Sequence, residues 1–199
     1  MRKQEYSPQH VVGRWFEERL MRMFDLVRTD IKSEGRVPDF MHKDGLFYME
    51  AKASCYKNGG VINQGQLYGF EDITNAKRFY AFGYHPITAN MRETYPTEED
   101  LIAALDDAGL KSVYVFPFSI VKTFFDRVGE TNTPKHDSFV QMDERDAENI
   151  FMWKSPVWND PSIDIFDYRY FFLRGKVRIV TKGRDFEKEL RGSFHPEFL

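Results

Sequence analysis

Apolar residues recur at three- and four-residue spacings near the start of the chain. The set is Val11, Val12, Trp15, Phe16, Leu20, Met23, Phe24 and Val27. This period is typical of an amphipathic helix, and Ser7-Pro8 supplies an N-cap residue followed by proline at the first helical position. The pattern therefore predicts a helix from Pro8 to about Arg28.

A β-hairpin is predicted next. Asp44-Gly45 is a strong two-residue turn signal, because a type I′ turn needs positive φ at both central residues. With those two residues as the turn, Asp39 lies directly opposite Glu50 in the paired strands. Opposed residues share a face of the sheet, and Lys52 lies two positions further on that same face. The register predicts three charged side chains on one patch.

The rest of the chain alternates between helical and strand patterns. The further predicted elements are a helix over 62–76, a strand over 78–85, a helix over 97–109, a strand over 111–116, helices over 119–128 and 143–152, and a second hairpin of 168–174 and 176–181. This order predicts an α/β core with a mixed sheet, followed by a C-terminal α+β appendage. No linker divides the chain, so one domain over 1–199 is expected.

Composition and charge narrow the class of protein. The apolar fraction of 42% and aromatic fraction of 16% exclude a disordered chain, and no apolar run is long enough to span a membrane. Cys55 is the only cysteine, which excludes an intrachain disulfide and a cysteine-based zinc site. The start of the chain lacks the apolar core of a secretory signal. A cytoplasmic location is expected.

Charge is segregated along the chain although the net charge is only −3. Eight basic and three acidic residues lie between Arg169 and Arg191, whereas 93–110 holds six acids and no Lys or Arg. Such a pattern lets one face attract phosphates, and ordinary solvated surfaces are the alternative. The candidate nucleic-acid contacts are Arg14, Arg174, Lys176 and Arg178.

The facing acids, Asp39 and Glu50, suggest a metal site. Like charges directly opposite each other in a sheet are destabilising, and a divalent cation between them removes the conflict. Hard cations such as Mg²⁺ bind carboxylate oxygens. We therefore expect a Mg²⁺-dependent hydrolase.

Pro38-Asp39 and Glu50-Ala51-Lys52 resemble the two motifs of the PD-(D/E)xK nuclease superfamily. The resemblance implies a restriction-endonuclease-like αβββαβ core over about 8–116, with the appendage over about 117–199. It also implies Mg²⁺, for which Mn²⁺ can substitute, held by Asp39, Glu50 and the carbonyl of Ala51. Lys52 would then orient or deprotonate the attacking water.

Two further motifs refine the resemblance. Gly13-x-x-x-Glu17 is similar to the first-helix motif of archaeal-type Holliday-junction resolvases, which implies that Glu17 completes the metal site; Glu18 is the competing choice. Gln64-x-x-x-Tyr68 fits the QxxxY pattern of one branch of the superfamily, with Gln66 almost equally suitable as the functional glutamine. Each motif places its two residues on one helical face.

Three functions are compatible with these features. We expect a DNA endonuclease acting on branched or recombination and repair DNA, most often as a homodimer because two strands must be cut. A restriction-type or end-dependent DNA nuclease is the nearest alternative. A non-catalytic nucleic-acid-binding module on the same fold is the third, although the intact Asp39, Glu50 and Lys52 argue against it.

Overall fold

A computed structural model describes residues 7–29, 38–73, 76–131, 139–151 and 177–178. The helices are α1 (Pro8–Phe24), α2 (Gln64–Glu71), α3 (Met91–Thr94), α4 (Glu98–Ala108), α5 (Phe118–Thr131) and α6 (Glu144–Phe151). The strands are β1 (Leu26–Arg28), β2 (Phe40–His42), β3 (Phe47–Cys55), β4 (Gly60–Asn63), β5 (Lys77–His85), β6 (Ser112–Pro117), β7 (Phe139–Met142) and β8 (Val177–Arg178). In these segments no helix is long and apolar enough to cross a membrane.

The central sheet has the order β1-β2-β3-β5-β6-β8 and is mixed. Strands β1, β2 and β3 are antiparallel neighbours, β5 is parallel to β3, and β6 is antiparallel to β5. Strands β4 and β7 form a separate antiparallel pair. The predicted α/β class with a mixed sheet is confirmed.

Helices cover both faces of the sheet, because alternate strand residues point to opposite sides. On one face, Phe79 and Ala81 of β5 pack with apolar residues of α1 and α4. On the other, Tyr80, Phe82 and Tyr84 pack with residues of α2, α5 and α6 and of the β4–β7 pair. This three-layer arrangement leaves no room for an added side chain at Gly83, where a Cβ would overlap the ring of Phe16 in α1.

The first helix is shorter than the apolar pattern predicts. It ends at Phe24 because Asp25 adopts the left-handed conformation, with φ of 51°. The chain then reverses into β1, where Leu26 is buried and Val27 is exposed. The apolar residue at position 27 therefore belongs to a strand rather than to the helix.

The predicted hairpin register is confirmed, although its turn is not the predicted type. Phe40 pairs with Met49, which places Asp39 opposite Glu50 when the ladder is extended by one residue. The turn is closed by a 2.8 Å hydrogen bond from the Gly45 N–H to the His42 carbonyl. Among its residues only Gly45 has positive φ, so the turn is not type I′.

The part of the predicted appendage that the structure describes belongs to the second apolar layer. Val121, Phe124, Val140 and Ile150 are buried against residues of β5 and β6. Strand β7 pairs with β4, whose residues Ile62 and Asn63 were wrongly predicted to begin a helix. Helices α5 and α6 and strand β7 therefore pack on the sheet rather than extend from it. Most of the second predicted hairpin lies outside the described residues.

Candidate active site

The three charged residues of the two motifs converge on one face of the sheet, as predicted. Lys52 Nζ lies 2.6 Å from Glu50 Oε1, and the backbone N–H of Asp39 donates to Glu50 Oε2 at 3.1 Å. The carboxylate of Asp39 accepts a 2.9 Å hydrogen bond from the Ala51 N–H. Two acids and one base therefore share a single hydrogen-bonded cluster.

Proline at position 38 explains why this cluster forms at the end of the β2–β3 ladder. The next backbone pair in the observed register would join Pro38 to Ala51, but proline has no N–H to donate. The Asp39 carboxylate takes the Ala51 N–H instead. Since a strand residue directs its N–H and C=O to the same edge, the Ala51 carbonyl faces the same side as Asp39.

Glu50 is the most perturbed acid of the cluster. Its side chain is 1% exposed, and burial raises its pKa from 4.5 to about 7. The neighbouring Asp39 raises that pKa further, whereas the ammonium of Lys52 lowers it. Burial and the second acid both destabilise the ionised form of this carboxyl group, and a bound cation would stabilise that form.

Lys52 is fixed by three neighbours. Besides Glu50, its ammonium donates to Gln66 Oε1 at 2.9 Å. A Cβ added to Gly60, at the start of β4, would lie 3.1 Å from the Cβ of Lys52 and 3.0 Å from the Phe82 ring. Glycine at this position lets β4 pack against the lysine stem and hold it in the site.

The glutamine of α2 that contacts Lys52 is Gln66, the alternative to Gln64 in the predicted motif. Gln64 Nε2 instead donates to the hydroxyl of Tyr68 at 2.8 Å, and that tyrosine is 53% exposed. The helix begins where the Asn63 side chain accepts from the Gly65 N–H. This cap sets the rotation of the helix, so that the third residue and not the first faces Lys52.

Glu17 does not join the cluster, which corrects the prediction that it completes the metal site. It lies on α1, the helix covering the opposite face of the sheet, and its carboxylate binds Arg28 at 2.8 Å. A Cβ at Gly13 would meet no atom within 4 Å. No close contact within the described chain therefore requires glycine at this position. Arg14 pairs with Glu98 of α4 at 2.6 Å.

Of the remaining predicted nucleic-acid contacts, the structure describes only Arg178. Arg178 pairs with Ser112 in the β6–β8 ladder, at the far edge of the sheet from β1 and β2. Arg174 and Lys176 lie outside the described residues. The acidic segment that the sequence suggested as a separate surface is partly neutralised, because Asp106 of α4 binds Arg19 and the indole N–H of Trp15.

The donor set fits one Mg²⁺ ion. Asp39 and Glu50 would supply carboxylate oxygens, and the Ala51 carbonyl faces the same side of the strand as Asp39. Within the described ranges no group of three or more His, Cys, Asp or Glu side chains comes together. Mg²⁺ is commonly held by one or two carboxylates and keeps several water ligands, so this set is sufficient without a third acid.

A buried hydroxyl beside the cluster was not found from the sequence. Tyr80 pairs with Glu50 in the parallel β3–β5 register, and its hydroxyl has no hydrogen-bond partner in the described part of the chain. Burial, together with Glu50 and Asp39, raises the tyrosine pKa well above its usual range. The Tyr80 ring packs against Phe70 and Phe82, as an ordinary core residue does. No sequence pattern distinguished it from the other core aromatic residues.

An open cleft of about 1090 Å³ leads away from the cluster. Its floor is β3 from Ala51 to Cys55, beyond the end of the short β2. One wall is the first turns of α1, and the other is β4 with the start of α2. Asp39 and Lys52 lie at one end and His85 also lines the cleft.

Comparison with known proteins gives no family for this chain. No protein-family model matches it, and no match was found among curated proteins or among solved structures. The function therefore has to be argued from the site itself.

Proposed function

We propose that this protein is a Mg²⁺-dependent nuclease that hydrolyses phosphodiester bonds in DNA. The observation that carries the proposal is the cluster of Asp39, Glu50 and Lys52 at the head of an open cleft. The order α1, β1, β2, β3, α2, β5 supports the restriction-endonuclease-like αβββαβ core, with β4 inserted before α2. Both motifs of the resemblance lie on adjacent antiparallel strands.

The residues of the cluster have separable roles in this proposal. Asp39, Glu50 and the Ala51 carbonyl would hold the ion, which when bound supplies a water of lowered pKa and offsets charge on the phosphate. Lys52 donates hydrogen bonds to the attacking water or to the phosphate oxygens and stabilises the negative charge that develops there. Gln66 keeps the ammonium directed into the cleft.

The intact and assembled cluster favours an enzyme over a non-catalytic binding module. A protein that only bound nucleic acid would gain nothing from a Glu50 whose carboxylate is buried at a cost in folding free energy. Perturbed acids of this kind concentrate at catalytic sites. Two points stay predictions. One is that the protein acts on branched or repair DNA rather than by restriction-type or end-dependent cleavage, and the other is that it forms a homodimer.

Substitution of the cluster tests the proposal directly. Asp39→Ala and Lys52→Met should each lower Mg²⁺-dependent cleavage at least about 100-fold, because each removes a group that acts on the water or phosphate. Circular dichroism should show that both variants remain folded. Lys57→Met is the matched control, since Lys57 is exposed and its ammonium lies over Tyr56, 5.7 Å from the ring centroid. Full cleavage by either cluster variant would refute the assignment.

A further inference from the structure

The cleft beside the cluster has features of a ligand site that the proposed chemistry does not use. Strand β3 continues to Cys55, but its partner β2 reaches only to the level of Met49 in the observed ladder. Beyond Ala51, whose N–H is bound by Asp39, the backbone N–H and C=O of Ala53 face the open side of the strand. Within the described chain no strand pairs with this edge.

His85 provides a second, independent feature. It is paired with Cys55 in the β3–β5 register, is 1% exposed and lines the cleft. By strand alternation its side chain lies on the α1 face of the sheet, opposite Lys52, and the cleft includes β3 residues of both faces at the free edge of that strand. Neither of its ring nitrogens has a hydrogen-bond partner in the described segments. Because buried polar groups are normally paired, an imidazole with both nitrogens free at a cleft points to a ligand that supplies the missing partners.

The lining of the cleft indicates what kind of ligand this is. Among the described residues that line the cleft, Lys52 is the only Lys or Arg and Asp39 the only acid, whereas amides are contributed by Gln9, Asn58, Asn63 and Gln66. Such a surface recognises neutral hydrogen-bonding edges rather than a row of phosphates. The bases of nucleic acid have such edges once they are unpaired.

The cleft is too small to enclose a double helix. A cube of 1090 Å³ has edges of about 10 Å, whereas the major groove of DNA alone is about 12 Å wide. Along β3, the four residue steps from Ala51 to Cys55 cover about 13 Å. At about 3.4 Å for each stacked nucleotide, that length accommodates at most about four nucleotides of one strand.

We infer that the cleft binds an unpaired segment of nucleic acid, whose scissile phosphate lies at Asp39 and Lys52 and whose flanking base is hydrogen-bonded by His85. The inference rests on the proposed function and specifies its substrate as a single strand, as in a flap, a gap or an unpaired end. His85 acts here as a binding residue for the flanking nucleotide and not as a catalytic residue.

Binding without cleavage tests the inference. With Ca²⁺ in place of Mg²⁺, fluorescence anisotropy should show that affinity for single-stranded oligonucleotides of about two to eight nucleotides rises to about four nucleotides and then levels off. A blunt duplex long enough to remain paired should bind at least about ten-fold more weakly. His85→Leu should weaken single-strand binding about five- to ten-fold, and His85→Gln, which keeps a donor and an acceptor, should recover most of the loss.

Tyr84→Phe is the matched control. Tyr84 precedes His85 on β5, but its side chain points to the other face, where its hydroxyl donates to the Met142 carbonyl at 2.8 Å. Tyr84→Phe should lower the melting temperature without weakening single-strand binding. His85→Leu should keep the melting temperature, because the imidazole that it removes has no hydrogen-bond partner among the described residues. Equal affinity for duplex and single strand, or unchanged binding by His85→Leu, would overturn the inference.

The two proposals fail in different ways. Mg²⁺-dependent cleavage of blunt duplex with no effect of His85→Leu would leave the nuclease standing and remove the single-strand cleft. Failure to cleave any DNA, single-stranded, duplex or branched, would remove the nuclease itself and the inference with it.

Discussion

Glu50 illustrates how one residue carries both a functional role and a folding cost. Its carboxyl group is buried on the sheet face beside Asp39, and the single ammonium of Lys52 offsets only part of the penalty. Replacing the carboxylate by a neutral group of similar shape should therefore relieve the fold while destroying the metal site. The residue that best supports the proposed chemistry is thus a source of instability in the metal-free protein.

The pKa of Glu50 predicts how stability depends on pH. The folded protein retains a proton on Glu50 up to about pH 7, whereas the unfolded chain loses it near 4.5. Between these values the folded state binds more protons, so the free energy of unfolding should fall as pH rises, by about 3 kcal/mol in all, and then level off above about pH 7. Urea unfolding at a series of pH values without metal measures this.

Two variants isolate the effect of Glu50. Glu50→Gln should remove the decline, because no proton is exchanged at that position, and added Mg²⁺ should reduce the decline in the unaltered protein only. Glu17→Gln is the control, since Glu17 binds Arg28 at the edge of the sheet. A decline that persists in Glu50→Gln would show that another group causes it.

At the scale of elements, the rotation of α2 decides which glutamine contacts Lys52. The Asn63 cap fixes the first turn, and Gln66 then reaches Lys52 while Gln64 reaches Tyr68. Both glutamines lie in the same helix three residues or fewer from the cap. Sequence spacing could not separate them, because the helix start was predicted two residues too early.

The pair of glutamines supplies its own matched control. Gln66→Ala should lower kcat about ten-fold with little change in KM, because Lys52 loses the acceptor that directs its ammonium. Gln64→Ala should change kcat less than two-fold, since the Gln64 amide nitrogen donates to the exposed hydroxyl of Tyr68 in the same helix. Steady-state kinetics on one DNA substrate measures both. Equal losses in the two variants would contradict the assignment of Gln66.

At the scale of the whole molecule, two apolar layers enclose the sheet. The second layer is built partly from residues 118–151, and Ile150 of α6 is 1% exposed within it. The site lies on that same face, between the sheet and α2. Packing of α5, β7 and α6 therefore supports the surface on which Glu50 and Lys52 are held.

Removing a buried side chain from α6 tests this packing. Ile150→Ala should lower the free energy of unfolding by about 2–5 kcal/mol while keeping a single cooperative transition, because the helix shares its core with the sheet. Val27→Ala, at a position 41% exposed, should change it by less than about 0.5 kcal/mol. Two separate transitions in calorimetry would show that residues 118–151 fold independently.

The sequence by itself determined the hairpin register, and with it the meeting of Asp39, Glu50 and Lys52, because strand pairing and side-chain alternation are local and periodic. The same held for α4, which was predicted over 97–109 and begins at the N-cap residue Thr97. Only the tertiary structure decided that Glu17 lies across the sheet from the cluster, that Gln66 contacts Lys52, and that His85 borders the cleft. Those placements depend on how distant elements pack, and no short-range pattern encodes the relative position of a helix and the sheet face that it covers.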